Sequence, residues 1–229
     1  MAIDGRYHGE RNKAGSGAAE YHEAILRAWR TGKEHPFLYD TVWDVMRLID
    51  YLQTRPDVDP QRIGLIGFSK GGMETYLAAA VDNRIRVAVP CIGVQSFRWG
   101  LENGAWHGRV RTIQAAVNGA AKEAGIDSPD AAFVRQFYDR VVPGIYSQFN
   151  GPAMLPLIAP RPLLAINGDS DDHTPRPGVL ECATAAQKAY KDAGAAEKFV
   201  LLMQENTGHR VQPASREKAI EWFARWLGP

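Results

Sequence analysis

A serine between two glycines is the feature of the sequence that points most directly to chemistry. Gly67-Phe68-Ser69-Lys70-Gly71 has the G-x-S-x-G spacing of a nucleophile elbow, a tight turn that joins a strand to a helix. The apolar run Ile63 to Phe68 predicts a buried strand, and Gly71 to Val81 predicts the helix. We expect the two glycines to relieve contacts that a Cβ would make beside a strained serine. The motif predicts Ser69 as a nucleophile and the Lys70 amide as a donor to an oxyanion, the alternative being an ordinary glycine-rich turn.

A nucleophilic serine needs a general base, and the base needs a carboxylate to orient it. In folds with this elbow, the acid and then the histidine follow the serine, each after a later strand. The apolar run Leu163 to Ile166 leads into a polar turn that contains Asp169, Asp171 and Asp172. Any of the three could be the acid, and each could equally be a solvated turn carboxylate.

His209 occupies the third place in this order. It follows the predicted strand Phe199 to Met203 and precedes the final helix, so we predict it as the base. His173, His107 and His8 could line a pocket. His22-Glu23 begins a zinc-protease pattern, but a leucine stands where the second histidine belongs, and no phosphate-binding glycine motif occurs. The sequence therefore predicts neither a metal nor a cofactor.

The elements that must position these residues alternate between apolar runs and helical patterns. With Arg86 to Ile92 as a further strand, this alternation predicts an α/β fold with a mostly parallel sheet flanked by helices. The final helix is predicted to start near Pro213. Its expected sheet-facing stripe consists of Ala219, Ile220, Phe223, Trp226 and Leu227.

The segment from about 95 to 160 is too long for an ordinary connection between two strands. We predict it as a helical cap inserted into a single domain spanning residues 1–229, with helices from about Trp106 to Ala124 and from Asp130 to Val141. Three of its aromatic residues either bind substrate or pack the cap onto the body: Phe97, Trp99 and Trp106.

Composition narrows the remaining function classes. The chain has 229 residues, 45% hydrophobic and 23% charged, with a formal net charge of +1. That near-neutral charge gives no reason to expect nucleic acid or a membrane surface as a partner. The start of the chain lacks the pattern of a signal peptide, and we expect a cytoplasmic protein. Its two cysteines, Cys91 and Cys182, are predicted to be reduced and buried.

Several segments together resemble the dienelactone-hydrolase and acetyl-xylan-esterase-like branch of the α/β-hydrolase superfamily. They are AIDGRYHGER (2–11), PFLYDTVWDVMRLIDYL (36–52), DVDPQRIGLIGFSKGG (57–72), APRPLLAINGDSDDHTP (159–175) and TGHRV (207–211). The acid of that family typically follows the pattern G-x-x-D-x-x-x-P, which Gly168, Asp171 and Pro175 match. The resemblance therefore favours Asp171, with Asp172 next, and implies ester hydrolysis through an acyl-enzyme without a metal.

Members of this branch carry further strands and a loop with a second oxyanion donor before the segment that matches residues 2–11. On this resemblance we expect the chain to begin inside the sheet, either because the native protein is longer or because it is a shortened member. The sheet would then have an exposed edge, and a homodimer that covers this edge is a hypothesis.

The sequence thus predicts a serine esterase that cleaves small carboxylic esters with Ser69, His209 and Asp171. Two alternatives stay open. One is a catalytically weak or inactive scaffold of the same fold, and the other is an acyltransferase, thioesterase or peptidase that uses the same three residues.

Overall fold

A parallel four-stranded sheet lies at the centre of the computed structural model, which describes residues 1–15 and 17–228. The strands stand side by side in chain order: β1 Gly64–Phe68, β2 Val87–Cys91, β3 Leu163–Gly168 and β4 Phe199–Gln204. Phe68 pairs with Cys91, and Gly168 pairs with Gln204, so the carboxyl ends of the strands share one edge of the sheet. The predicted α/β class is confirmed, and the four strands predicted from the apolar runs form. The expectation that the chain begins inside the sheet was wrong for the described residues, because residues 1–5 form no strand.

Helices connect and cover these strands. In chain order they are α1 Ala19–Thr31, α2 Tyr39–Gln53, α3 Lys70–Val81, α4 Phe97–Glu102, α5 His107–Val110, α6 Gln114–Glu123, α7 Ala131–Val141, α8 Gly151–Met154, α9 Arg176–Asp192 and α10 Pro213–Leu227. Short 3-10 turns complete the pattern, including one at Arg111–Ile113 directly after α5. No helix in residues 1–15 and 17–228 is both long and apolar enough to cross a bilayer.

The sheet has a core on each face because side chains alternate along a strand. In β2, Ala88 belongs to the larger core with α3, whereas Val87 and Val89 belong to a smaller core under α10. Both thiols, Cys91 and Cys182, are buried and unpaired. Burial raises the pKa of Cys91 to about 12, which leaves it a neutral packing group.

Strand β1 is less buried than its apolar sequence predicts. Among the described strands it has one neighbour, β2, and the side chains of Ile66 and Phe68 are 41% and 47% exposed. Burial along β1 alternates between exposed and half-buried residues, whereas every residue of β2 is buried. The prediction of a buried strand was therefore wrong for β1, because an apolar run does not reveal whether a strand lies at an edge.

The final helix packs through most of the predicted stripe, with Trp222 in the place of Ile220. Ala219 and Trp222 are its buried apolar residues, and Ile220 is 68% exposed. Phe223, Trp226 and Leu227 contact the small core from partly buried positions. Ile220 lies roughly 100° around the helix from Ala219, which carries it away from the sheet.

The insertion between β2 and β3 contains the helices α4 to α8. The predicted helix from Trp106 to Ala124 is broken into α5, the 3-10 turn and α6, and the second predicted helix corresponds to α7. The side chain of Asp130 caps α7 by accepting a hydrogen bond from the Phe133 amide at 2.8 Å. That the insertion forms a cap within a single domain of residues 1–229 stays a prediction.

Candidate active site

The turn after β1 holds Ser69 in a strained conformation. Ser69 has φ 55° and ψ −114°, in the left-handed half of backbone space that non-glycine residues rarely occupy. Its amide donates to the Cys91 carbonyl at 2.9 Å, and its carbonyl accepts from the Met73 amide at 3.1 Å. The neighbouring strand and the first turn of α3 therefore fix the serine backbone.

Glycines close to this turn allow the backbones to approach, although not all at the predicted positions. A Cβ on Gly67 would lie 2.1 Å from the Gly71 carbonyl oxygen, so Gly67 is required as expected. A Cβ on Gly71 would meet nothing within 4 Å, and the prediction that Gly71 relieves a clash was wrong. The second close approach involves Gly72, whose Cβ would lie 2.5 Å from the Cys91 carbonyl oxygen.

Three side chains from three different strand ends form one hydrogen-bonded row. Ser69 follows β1, Asp171 follows β3 and His209 follows β4. His209 Nε2 lies 2.7 Å from Ser69 Oγ, and His209 Nδ1 lies 2.7 Å from Asp171 Oδ2. An ionised carboxylate can only accept, so His209 Nδ1 carries the proton and Nε2 is free to accept one from the serine hydroxyl.

The Asp171 carboxylate is fully buried and well supplied with donors. Besides His209, the hydroxyl of Thr174 donates to Oδ2 at 2.8 Å and the amide of His173 donates to Oδ1 at 2.9 Å. Burial by itself acts to raise the pKa of Asp171. The hydrogen bonds from His209, Thr174 and His173 outweigh it, and the pKa lies below its usual value. Asp171 therefore stays ionised beside the histidine.

The other two aspartates of this turn have different partners. Asp169 accepts from the amides of Asn206 and Thr207 at 3.1 Å each, which joins the acid turn to the loop that carries His209. These amides, Thr207 first, lower the pKa of Asp169. Asp172 points outward to Arg111 at 2.9 Å. Of the three aspartates, Asp171 is the one that contacts the histidine.

His173 stacks on His209, with ring centroids 4.4 Å apart and an interplanar angle of 30°. Its Nε2 lies 2.7 Å from the guanidinium of Arg111, which can only donate, so Nε2 accepts. Burial, then the positive charge of His209, Arg109 and Arg111, lowers the pKa of His173. A neutral ring therefore lies against His209.

Lys70 provides the first amide of α3, at the helix end where partial positive charge favours an anion. Its side chain is engaged elsewhere. The ammonium lies 2.6 Å from Glu74 Oε1 and 5.4 Å from the ring centre of Tyr21. Burial raises the pKa of Glu74, and Lys70 opposes that rise. The predicted role of the Lys70 amide as an oxyanion donor stays a prediction.

The predicted pocket aromatics have packing partners. Phe97 is buried and lies edge-on against Tyr138, at 6.1 Å between ring centres. Trp99 lies beside Gly178 of α9, and Trp106 stacks on His107 at 3.6 Å. Packing of the insertion thus accounts for Phe97, and a substrate-binding role of the three residues stays a prediction.

A groove of about 540 Å³ lies on the outer side of the acid turn. It is lined by Ala105, His107, Gly108, Arg111, Gln114, Asp172 and Pro175. Sequence reasoning did not identify this groove. Within residues 1–15 and 17–228, no group of three or more His, Cys, Asp or Glu side chains is arranged to hold a metal ion.

Several residues that shape the site gave no separate signal in the sequence. Thr174 and Asp169 lie within the polar turn that was predicted as a whole, but their partners could not be assigned. Arg109, from the insertion, donates to the His173 carbonyl at 2.8 Å across 64 residues of sequence. Its position is determined by how the insertion packs, which no local pattern encodes.

Comparison with known proteins gives a family match over most of the chain. The sequence profile described as "Glucuronyl esterase, fungi" matches residues 23–194. The protein YtaP of Bacillus subtilis is 30% identical over 187 residues, covering 81% of this chain and 53% of that protein. A 4-O-methyl-glucuronoyl methylesterase of Neurospora crassa is 26% identical over 194 residues, covering 81% of this chain and 46% of that enzyme.

Solved structures confirm the fold. A variant of the glucuronoyl esterase from Sporotrichum thermophile, in complex with methyl 4-O-methyl-β-D-glucopyranuronate, gives a TM-score of 0.56 at 20% identity. That alignment covers 82% of this chain and 51% of the other. The chain thus spans about half the length of the relatives it matches.

Proposed function

The chain belongs to the glucuronyl esterase family, and from that premise we propose that it is a serine hydrolase of carboxylic esters. Ser69, His209 and Asp171 are its catalytic residues in this proposal. The row of hydrogen bonds from Ser69 Oγ to His209 and on to Asp171, at 2.7 Å each, is the observation that carries it.

The proposed reaction has two halves. Ser69 Oγ attacks the ester carbonyl carbon while His209 Nε2 takes the hydroxyl proton, and the Lys70 amide donates to the oxyanion. As the tetrahedral intermediate collapses, the protonated His209 gives that proton to the leaving alcohol, which leaves an acyl group on Ser69. Water, deprotonated by His209, then attacks the acyl carbon. The bond to Ser69 Oγ breaks, His209 returns the proton to that oxygen, and the acid is released.

The electrostatics of the site support this assignment of roles. Asp171 is buried, hydrogen-bonded three times and ionised, so it holds the His209 tautomer and stabilises the imidazolium. His173, which stacks on the His209 ring, is neutral.

Esters of a uronic acid are the substrate class we propose. One relative is named a 4-O-methyl-glucuronoyl methylesterase, and one structural neighbour holds a methyl glucuronate ester. The groove beside the acid turn, with Arg111 and His107, has room for the sugar or alcohol part of such an ester. The predicted residues Phe97, Trp99 and Trp106 remain candidates for shaping the acyl site.

The first experiment measures p-nitrophenyl acetate and butyrate hydrolysis by the chain, by Ser69→Ala and by Ser147→Ala. Ser147 is an exposed serine in the insertion and serves as the matched control. We expect Ser69→Ala to lower kcat by about 10⁶-fold, because removing a triad nucleophile abolishes covalent catalysis. Ser147→Ala should retain full activity.

A fluorophosphonate probe separates the alternatives. Labelling of Ser69 with ester turnover supports the proposal, and methyl glucuronate should then be hydrolysed faster than methyl acetate. Labelling with activity on thioesters or peptides alone would indicate a different acceptor chemistry on the same three residues. If Ser69 is not labelled and no ester is hydrolysed, the chain is a binding or scaffold protein.

We also propose that two copies of the chain associate through the edge of β1. Ile66 and Phe68 are exposed there, and β1 pairs with β2 alone among the described strands. Light scattering at micromolar concentration should give twice the mass of one chain for the wild type. The Ile66→Lys variant should give a mass closer to that of one chain. A monomer in both samples would contradict the homodimer. The cytoplasmic location, and the expectation of no nucleic-acid or membrane partner, stay predictions.

A further inference from the structure

The short helix α5 of the insertion lies directly against the acid turn. A Cβ on Gly108 would come within 2.1 Å of the Asp172 carbonyl oxygen, so the two backbones are in contact. The residue that follows, Arg109, reaches over this contact and donates to the His173 carbonyl at 2.8 Å. The acid turn is therefore held by a segment that precedes it by more than 60 residues.

Gln95 completes this contact. With its amide oriented so that both atoms have partners, its oxygen accepts from Arg109 Nε at 3.1 Å. Its nitrogen donates to the same His173 carbonyl at 3.2 Å. Arg109 and Gln95 thus both donate to the His173 carbonyl oxygen. The hydrogen bond between their side chains holds the two donors in position.

The burial of Arg109 is unusual for a charged side chain. It is 4% exposed, and within residues 1–15 and 17–228 no carboxylate lies at ion-pair distance from its guanidinium. Burial lowers the pKa of Arg109, with Asp171 among the groups that oppose this effect. A buried cation without a direct counterion is costly, so packing alone would favour an apolar residue at this position.

The carbonyl that Arg109 holds lies between the two other donors to Asp171. The amide of His173 donates to Asp171 Oδ1, and the hydroxyl of the next residue, Thr174, donates to Oδ2. Fixing the His173 carbonyl therefore fixes both donors, and through them the direction in which Asp171 faces His209.

We propose that Arg109 is a positioning residue for Asp171, acting together with Gln95 through the His173 carbonyl. The inference rests on the proposed function of the Ser69, His209 and Asp171 row. It assigns to the insertion a part in aligning this row, separate from any contact with substrate.

Arg135 offers a matched control in the same insertion. Its guanidinium lies 3.9 Å from the carboxylate of Asp139 on α7, and its side chain is 63% exposed. It takes no part in the contacts of the acid turn described above. Loss of this exposed pair should change kcat by less than about threefold.

The test compares Arg109→Met, Arg109→Lys and Arg135→Met, each made in the wild-type chain and in Asp171→Asn. With p-nitrophenyl acetate, Arg109→Met should lower kcat by about 10- to 100-fold, because a small displacement of a catalytic group has effects of that size. KM should change by less than about threefold, since the residue does not contact substrate. Arg109→Lys should recover part of the loss because an ammonium can still donate to the carbonyl.

The Asp171→Asn background distinguishes positioning from general stability. If Arg109 acts through Asp171, Arg109→Met causes no further loss once the carboxylate is gone. An equal loss in both backgrounds, or an unchanged kcat in the wild-type chain, would overturn the proposal. If Arg109→Met gives no cooperative melting transition, Arg109→Lys and Gln95→Leu decide by the same comparison.

A second readout does not depend on turnover. The proton that His209 Nδ1 shares with Asp171 should give a downfield ¹H NMR signal that Asp171→Asn abolishes. Arg109→Met should weaken or shift this signal, and Arg135→Met should leave it in place. Inactivity of the wild-type chain would count against the proposed function alone, while an unaltered signal in Arg109→Met would count against the role of Arg109.

Discussion

The nucleophile elbow and the acid turn are held in place by different kinds of contact. At the elbow, backbone meets backbone: the Ser69 amide donates to Cys91, and Gly67 and Gly72 permit approaches that no side chain would allow. At the acid turn, side chains make most of the contacts. His209 and Arg109 reach the turn from other segments, and Thr174 donates to Asp171 within it.

This difference affects how each half of the site can fail. A side chain introduced in place of a glycine at the elbow would collide with rigid backbone, so we expect it to lower the free energy of unfolding. A side chain removed at the acid turn leaves the backbone folded but misdirects a catalytic group, so the expected cost is in kcat. Four changes test this contrast, from the largest expected effect to the smallest.

Asp171→Asn should lower kcat by about 10⁴-fold with little change in melting temperature, because the amide favours the wrong histidine tautomer. Steady-state hydrolysis of p-nitrophenyl acetate measures the effect. Asp172→Asn, one residue away and exposed, is the control and should stay within about threefold of the wild type. A large loss in the control and none in Asp171→Asn would reassign the acid.

Gly72→Ala should destabilise the fold by about 1–3 kcal/mol, because its Cβ would lie 2.5 Å from the Cys91 carbonyl oxygen. Gly71→Ala is the matched control, since a Cβ there meets nothing within 4 Å. It should be neutral or raise the free energy of unfolding by up to about 1 kcal/mol. Urea unfolding measures both. Equal destabilisation by the two changes would show that the elbow is not held by close backbone approach.

Asp169→Ala should lower kcat by about 10-fold, because the loop that carries His209 loses its two amide contacts with the acid turn. Glu205→Ala changes an exposed side chain on the same loop and should have no measurable effect. The kcat values are compared at fixed temperature, with melting curves to check folding. If Asp169→Ala lowers stability but leaves kcat intact, the acid turn resembles the elbow more closely than we expect.

The smallest expected effect concerns the contribution of Asp171 to the pH dependence of the free energy of unfolding. Its pKa is below the usual value in the folded chain, so it stabilises the fold above pH 3.8 and this stabilisation is lost as the pH falls through the folded pKa. As the pH falls below 3.8, the free energy of unfolding should therefore fall less steeply in Asp171→Asn than in the wild type. Urea titrations at a series of pH values measure the two slopes. Parallel curves would contradict the lowered pKa.

The elbow could be predicted from sequence because its determinants are local. Ser69, Gly67 and the start of α3 lie within a few residues of one another, and the strand and helix signals flank them directly. Gly71 shows the limit of that reasoning. The motif contains two glycines, but the geometry requires Gly67 and Gly72, because the second close contact is with β2, a strand the motif does not include.

The acid turn shows a larger limit. Asp169, Asp171 and Asp172 are the same residue type within four positions, and from their own chemistry they could not be ranked. Family spacing favoured Asp171, and in the structure each carboxylate has its own partner. Asp169 accepts from the amides of Asn206 and Thr207, Asp171 contacts His209, and Asp172 contacts Arg111. The direction in which each aspartate side chain points depends on the backbone angles of the acid turn, and contacts with the neighbouring loop determine those angles.

The sequence by itself determined the α/β class, the four strands, the elbow serine and the place of His209 after the last strand. Periodicity and motif spacing are properties of neighbouring residues and need no knowledge of the fold. Only the tertiary structure decided that β1 is exposed, which carboxylate meets His209, and that Arg109 reaches the acid turn from the insertion. Each of these depends on contacts between distant segments, and such contacts exist only once the sheet has brought its strand ends together.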